Sequence, residues 1–161
     1  MTSTLKMGND ALMADPTCTA VPANKIEFHF PEYPSELRAH ALSIFERLIS
    51  LGYTPISGRS RVAMLHHRKR HVIKIPLNDI GILHNNREQR ACWQGRREEQ
   101  FIPIATCRIF YADRSIGLPL LMMEYLDTAI PSGFKFPDWA LSVDSLQVGI
   151  DHKRRVVAYD L

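Results

Sequence analysis

The feature that most constrains this sequence is the placement of two lone charges on apolar, strand-like runs. Lys74 stands inside the run Val72–Ile75, and Asp160 follows the run Val156–Tyr159. A charge on a buried strand is unfavourable unless it has a partner. A lysine that binds a phosphate and an aspartate that binds a metal ion both need rigid positions of this kind. The two positions therefore predict a site that holds a phosphate and a metal ion.

Length and composition predict one domain with a loose tail. The chain has 161 residues, of which 45% are hydrophobic and 23% are charged. These values are typical of a globular protein that buries its own core. Residues 1–30 begin with a polar stretch that contains Pro16 and Pro22 and shows no periodicity, so we expect a flexible tail there. Residues 31–161 are expected to form the domain.

The sequence indicates a cytoplasmic protein. No apolar run approaches the length of a membrane span, and the N-terminus Met1–Lys6 lacks the apolar core of a secretory signal. Cys18, Cys92 and Cys107 are odd in number and widely spaced. This pattern is typical of free thiols in a reducing compartment rather than of a disulfide framework.

Hydrophobic periodicity predicts an α+β fold. One helix is expected to begin at Ser35, its N-cap, and to end at Gly52, and a second is expected over 84–93 with Glu88 inside it. Residues 77–81 are expected to separate the second helix from the preceding strand. The predicted strands are rich in β-branched residues and cover 53–56, 61–65, 71–76, 103–111, 118–126, 147–150 and 155–159. This order predicts an antiparallel sheet of about five strands with flanking helices.

From about residue 52 onward, the order of these motifs resembles the small lobe and hinge of a protein kinase. Ser57–Val62 resembles a reduced Gly-rich loop, Lys74 the strand lysine, and Glu88 its partner on the next helix. Met123–Leu126 is similar to the segment that joins the two lobes and contacts adenine. The chain looks most like the minimal kinase-like proteins of bacteria, their effectors and their phages.

The resemblance implies ATP and Mg²⁺ as ligands. Gln147 falls at the position of the metal-binding Asn, and Asp160 falls at that of the metal-binding Asp, 13 residues later. A lysine on a rigid strand suits a phosphate contact, and backbone amides of a glycine-containing turn can approach phosphate oxygens. The residues that the resemblance assigns to nucleotide binding are Gly58, Ser60, Lys74, Glu88, Glu124 and Leu126.

Departures from the kinase pattern favour binding over catalysis. Ser142 occupies the position of the catalytic base, five residues before Gln147, and it has no carboxylate. If the chain is complete at Leu161, the large lobe that holds a protein substrate is missing. We therefore expect a degenerate kinase-like protein that acts by binding a partner. The alternative is a minimal kinase whose base is Asp138 or Asp144.

An aromatic segment after the hinge-like strand predicts a protein interface. Phe134, Phe136 and Trp139 lie within six residues, and with Leu126 and Ile130 they would form an apolar surface where a large lobe normally packs. A homodimer or another protein would cover this surface. The alternative is that the aromatic side chains fold back and close the bottom of the sheet.

Basic clusters suggest nucleic acid as a less favoured partner. If the clusters face one way, they form a phosphate-binding stripe. Charged turns are, however, commonly only solvated, and no aromatic residues interleave with these clusters in the sequence. The clusters are Arg59–Arg61, Arg68–Arg70, Arg96–Arg97 and Lys153–Arg155.

Overall fold

The computed structural model describes residues 33–94, 102–143 and 147–159. These residues form an α+β fold with a five-stranded antiparallel sheet, a separate two-stranded sheet and two α-helices. The predicted fold class is confirmed. The predicted tail lies outside the described residues, as do Asp144 and Asp160. No helix in the described ranges has the length and apolar character needed to cross a bilayer.

The first helix, α1 (Ser35–Ser50), packs one apolar face on the sheet. Ala41, Phe45 and Leu48 are buried at helical spacing. The prediction that Ser35 is the N-cap is wrong, because the extended Pro34 takes that place and Ser35 is already helical. The predicted end is confirmed, since Gly52 follows with a φ of 84°, a conformation that favours glycine.

The main sheet has the strand order β1-β2-β3-β5-β4. Its members are β1 (Thr54–Ser57), β2 (Arg61–His66), β3 (His71–Pro76), β4 (Cys107–Phe110) and β5 (Leu120–Glu124). The expected strands 103–111 and 118–126 were too long, because pairing between β4 and β5 covers only 107–110 and 120–123. Residues 67–70 form the turn between β2 and β3, which we call the first basic turn.

Alternation along the central strands separates the two faces of the sheet. Val62 and Met64 on β2, with Ile73 and Ile75 on β3, pack into the same core as the buried residues of α1. The intervening side chains of β2 and β3 therefore point to the opposite face. That second face carries the candidate site.

The second helix, α2 (Asp79–Gln94), connects β3 to β4. It begins five residues earlier than predicted, so β3 ends at Pro76 as expected, but the break before the helix covers only 77–78. Asn78 explains the early start, because its Oδ1 accepts a hydrogen bond from the backbone N–H of Gly81 at 3.0 Å, as an N-cap does. Gly81 is required inside the helix because a Cβ there would lie 2.2 Å from the backbone oxygen of Ser60.

A hairpin of β6 (Val148–Ile150) and β7 (Val156–Ala158) confirms the two predicted C-terminal strands. The hairpin joins the main body through backbone hydrogen bonds, including Ala105 N–H to the oxygen of Ala158 at 2.9 Å. Its connection over 151–155 is called the second basic turn.

The predicted apolar surface is largely absent. Leu126 is buried, with 6% of its surface exposed, so the expectation that it is exposed is wrong. Ile130, Phe136 and Trp139 are partly buried against a small core to which β6 and β7 contribute. Phe134 is 37% exposed and contacts the ring of Phe136, with centroids 5.3 Å apart. Phe136 and Trp139 thus fold back, as the alternative prediction proposed.

Candidate functional site

A cavity of about 640 Å³ lies on the second face of the sheet. The turn between β1 and β2 forms one wall, α2 forms another, and the chain that follows β5 closes the far end. The volume is within the range of pockets that bind small ligands.

The far end of the cavity is apolar. Leu65 pairs with Val72, and Val72 pairs with Met123, so the three side chains form one row across β2, β3 and β5. Ala63 and Leu126 also line this part of the cavity. An apolar floor of this kind suits a flat ring.

At the end of the cavity beside α2, Lys74 lines the wall and forms the buried ion pair with Glu88 that the sequence predicted, although Glu88 itself does not line the cavity. Lys74 Nζ lies 2.9 Å from Glu88 Oε2 and 3.1 Å from Oε1. Exposure is 6% for Lys74 and 2% for Glu88. Burial lowers the pKa of the Lys74 amine below its usual value, while the Glu88 carboxylate opposes that shift. The pairing between strand and helix is confirmed, whereas the binding role of the two residues stays a prediction.

A second cation, Arg61, joins the ion pair. Its guanidinium donates a hydrogen bond to Glu88 Oε1 and another, at 3.3 Å, to Asn85 Oδ1. The Asn85 amide in turn donates to the backbone oxygen of Pro119 at 2.9 Å, which ties α2 to the segment before β5. Glu88 is therefore held by cations from two strands, and Asn85 of its own helix helps to hold one of them, Arg61.

Basic residues dominate the polar lining of the cavity. Arg59, Arg61, Lys74 and Arg87 all line it, and no acidic residue within the described ranges does. Arg59 and Arg87 are exposed, so they lie towards the mouth of the cavity. A concave wall with an excess of positive side chains favours an anionic ligand.

The turn between β1 and β2 covers residues 58–60 and is held in place by hydrogen bonds. Gly58 and Ser60 line the cavity, as predicted. The Gly58 N–H, however, donates to the oxygen of Arg61 at 2.9 Å and is used within the turn. The Ser60 oxygen accepts from the N–H of Leu77 at 2.8 Å, and its Oγ lies 3.2 Å from Nδ1 of His84. The turn is thus fixed to the end of β3 and to α2, and its Gly58 N–H is already used within the turn.

Glu124 does not contribute its side chain to the cavity. Its Oε1 accepts the backbone N–H of Thr106 at 2.7 Å, and its Oε2 lies 3.2 Å from His152 Nδ1. The neighbouring residues Met123, Tyr125 and Leu126 line the cavity instead. The predicted contact of Glu124 with a nucleotide stays a prediction, in which its side chain would take no part.

The predicted metal-binding and catalytic residues are only partly brought together. Gln147 lines the cavity, and so does Tyr159, the residue before Asp160. Asp138 is exposed at the start of a short 3-10 helix, Asp138–Ser142, and does not line the cavity. Asp144 and Asp160 lie outside the described residues. Of the two predicted metal ligands, Gln147 is the one that the described residues place in the cavity.

A separate acidic group lies at the second basic turn. Ligand atoms of Glu124, Asp151 and His152 lie within 4.8 Å of one another. The Asp151 carboxylate is already used, because it accepts the N–H groups of Lys153 and Arg155 at 2.9 and 2.8 Å. The Arg155 guanidinium also donates to Asp151 Oδ2. These bonds identify Asp151 as a residue that shapes the turn.

Sequence reasoning missed the structural roles of Arg61 and Asn85. A signal was present on α2, where Gly81, Asn85 and Glu88 recur at helical spacing and are all buried. A helix face made of glycine and polar residues predicts close packing with polar partners. Arg61 gave no such signal, because it stands close to Arg59 in a stretch that is typical of a solvated turn.

No match is found for this chain among protein-family models, curated proteins or solved structures. The geometry of the cavity is therefore the basis for assigning a function.

Proposed function

We propose that this protein is a kinase-like protein that binds an adenine nucleotide in the cavity and acts by binding rather than by phosphoryl transfer. The observation that carries the proposal is the buried ion pair between Lys74 on β3 and Glu88 on α2. Protein kinases use a lysine on the third strand and a glutamate on the following helix to organise nucleotide phosphates. Here the pair stands at the basic end of a ligand-sized cavity.

The two ends of the cavity match the two parts of a nucleotide. The apolar row of Leu65, Val72 and Met123 suits the base. Lys74 and Arg59 suit the phosphates, since charge-assisted hydrogen bonds to phosphate are stronger than neutral ones. Because the Gly58 amide is used within its own turn, we expect side chains rather than backbone amides to make most of the phosphate contacts.

Gln147 is the residue through which the cavity would bind Mg²⁺. Gln147 offers one amide oxygen to the cavity, and Mg²⁺ accepts such oxygen ligands. Bound there, the ion would neutralise charge on the phosphates. Its second predicted protein ligand, Asp160, lies outside the described residues.

Catalysis is less supported than binding. Ser142 lies at the sequence position of a kinase base but has no carboxylate. Its hydroxyl donates a hydrogen bond to the backbone oxygen of Trp139 at 2.6 Å. Asp138, one proposed substitute, does not line the cavity. We expect no transfer of labelled phosphate from ATP to protein substrates. Robust transfer that depends on Lys74 would instead favour the minimal kinase.

A thermal-shift titration with ATP, with and without MgCl₂, tests nucleotide binding. A ligand at one hundred times its dissociation constant stabilises a protein by about 2.7 kcal/mol. Lys74→Met should weaken binding through the phosphates, and Ala63→Phe should weaken it by filling the apolar floor beside Lys74, its cross-strand neighbour. Lys135→Met, an exposed lysine on another loop, serves as the charge-matched control.

Two outcomes would contradict the nucleotide proposal. One is that ATP produces no shift at millimolar concentration in the unmodified protein. The other is that Ala63→Phe, shown by circular dichroism to be folded, binds ATP as tightly as the Lys135→Met control does.

Capture of a protein partner through Phe134, Phe136 and Trp139 stays a further proposal. Phe134 offers the most exposed of these rings. Phe134→Ala should therefore weaken self-association or partner capture without unfolding the protein, as light scattering and circular dichroism would report. Trp139→Ala should instead lower stability, because that ring packs against a core. Unchanged association of the Phe134 variant would place any interface elsewhere.

A further inference from the structure

The two basic turns lie side by side, although they are far apart in the sequence. The N–H of Tyr125 donates to the oxygen of Arg70 in the first basic turn at 2.9 Å. The carboxylate of Glu124 lies 3.2 Å from Nδ1 of His152 in the second. Consecutive residues at the end of β5 therefore contact both turns and bring them to one end of the molecule.

The cations of these turns face solvent, whereas the nearby acids are occupied. Arg68, Lys69 and Arg70 are exposed in the first turn, and Lys153 and Arg154 are exposed in the second, where Arg155 forms an ion pair with Asp151. The Asp151 side chain is 0% exposed and bonded within its own turn. The Glu124 side chain is 15% exposed and bonded to the Thr106 N–H and to His152. These two carboxylates therefore contribute little to the solvent-exposed surface around the basic turns.

Each turn places an arginine at a strained backbone position. Arg70 has a φ of 53° and Arg154 a φ of 62°, and no other non-glycine residue in the described ranges has a positive φ. Glycine or asparagine is the usual residue at such a position, because larger side chains make a positive φ sterically unfavourable. Strain of this kind is commonly kept where the side chain has a function. Each turn thus presents an exposed arginine at a position where glycine is the usual choice.

A pair of planar side chains lies beside these cations. The rings of His67 and Tyr125 are in edge contact, with centroids 5.5 Å apart. Aromatic rings next to cations form the usual platform for unpaired bases. No aromatic residue lies next to the basic clusters in a way that the sequence alone reveals. The fold places one there, because Tyr125 follows β5 and contacts His67.

We propose that this two-turn basic surface, formed by His67–Arg70, His152–Arg155 and Tyr125, binds single-stranded nucleic acid. The exposed arginines and lysines contact backbone phosphates, and the His67 and Tyr125 rings contact bases. A single strand fits better than a duplex, because stacking on a side chain needs an unpaired base. This surface shares Tyr125 with the lining of the proposed nucleotide cavity, but its cations lie outside that lining, and the proposal does not depend on nucleotide binding.

Fluorescence anisotropy with a labelled 20-nucleotide oligo(dT) or oligo(U) tests the surface. The double variant Arg70→Gly with Arg154→Gly removes two cations while suiting both turns, so its melting temperature should not fall. Its affinity should fall at least tenfold. The slope of log affinity against log salt concentration should decrease by about 0.7 for each phosphate that the variant no longer neutralises. The control is the double variant Arg114→Gln with Lys135→Gln, which removes the same charge from other exposed sites.

Further measurements separate this surface from the alternatives. Lys74→Met should leave oligonucleotide affinity unchanged, whereas His67→Ala should weaken it several-fold. Equal affinities for the glycine double variant and the glutamine control would overturn the proposal. Absence of binding at physiological salt would also overturn it, as would tighter binding to a duplex or to anionic phospholipid vesicles than to the single strand.

Discussion

Replacing Gly81 with alanine tests the contact between α2 and the turn at the mouth of the cavity. Gly81 lies inside α2, where alanine is normally favourable and stabilises a helix by about 1 kcal/mol relative to glycine. In this fold, however, the added Cβ would lie 2.2 Å from the Ser60 oxygen and 3.1 Å from Cα of Pro76. Both neighbours are backbone or ring atoms that cannot rotate away.

The structure predicts that the clash outweighs the helix preference. The Ser60 oxygen has to move by more than about 1 Å to reach an ordinary van der Waals separation, and it would then lose its hydrogen bond from Leu77. Overpacking costs about 2 kcal/mol, and loss of the hydrogen bond costs about 1 kcal/mol. After the gain in helix preference, Gly81→Ala should lower the free energy of unfolding by about 2 kcal/mol.

Urea unfolding followed by circular dichroism measures this change. Asn86→Ala is the matched control, because Asn86 is exposed on the same helix and should gain a few tenths of a kcal/mol. If nucleotide binding is as proposed, the displaced turn should also weaken ATP binding. A Gly81→Ala protein that is more stable than the unmodified chain would refute the close approach of α2 to the turn.

Three further predictions follow from buried polar groups. Glu88→Gln removes the carboxylate that Lys74 contacts and should lower the free energy of unfolding by about 3 kcal/mol in urea; a loss below about 0.5 kcal/mol would contradict the pairing. Burial alone raises the pKa of Asp151, but hydrogen bonds from Arg155 lower it overall, so its stabilising effect is present above about pH 4 and is lost at lower pH. The stability difference between the unmodified protein and Asp151→Asn should therefore shrink in urea titrations below about pH 4, and a constant difference would argue against this linkage. Burial raises the pKa of the Cys107 thiol far above its usual value. Iodoacetamide at about pH 8 should therefore modify Cys107 only in urea. Peptide mass spectrometry measures the modification, and a reaction in the folded protein would contradict the prediction.

Local sequence signals determined most elements of the fold. The β-branched run ending at Pro76 predicted β3 with both ends correct, because proline stops the strand that these residues favour. The apolar spacing of α1 and the left-handed Gly52 predicted that helix and its end. An opposite charge near Lys74 was also predictable, since a charge on a buried strand needs one, and the resemblance to protein kinases implied that Glu88 supplies it.

Tertiary contacts decided the features that local patterns leave open. The burial of Arg61 depends on α2 packing against the sheet, because only that packing brings Asn85 and Glu88 within reach. Likewise, whether Trp139 faces solvent or a core depends on the position of the C-terminal hairpin. The sequence contains the residues for both outcomes, and the long-range packing selects one of them.

The same physical reason explains why the basic surface could not be predicted from the sequence. Each turn by itself is a short run of solvated cations, and its charge says nothing about the position of the other turn. Hydrogen bonds at Glu124 and Tyr125 bring the turns together and place an aromatic ring beside them. The local sequence thus determined the helices, the strands and the charge of each turn. The packing of the hairpin against the end of β5 decided which charged turns lie side by side.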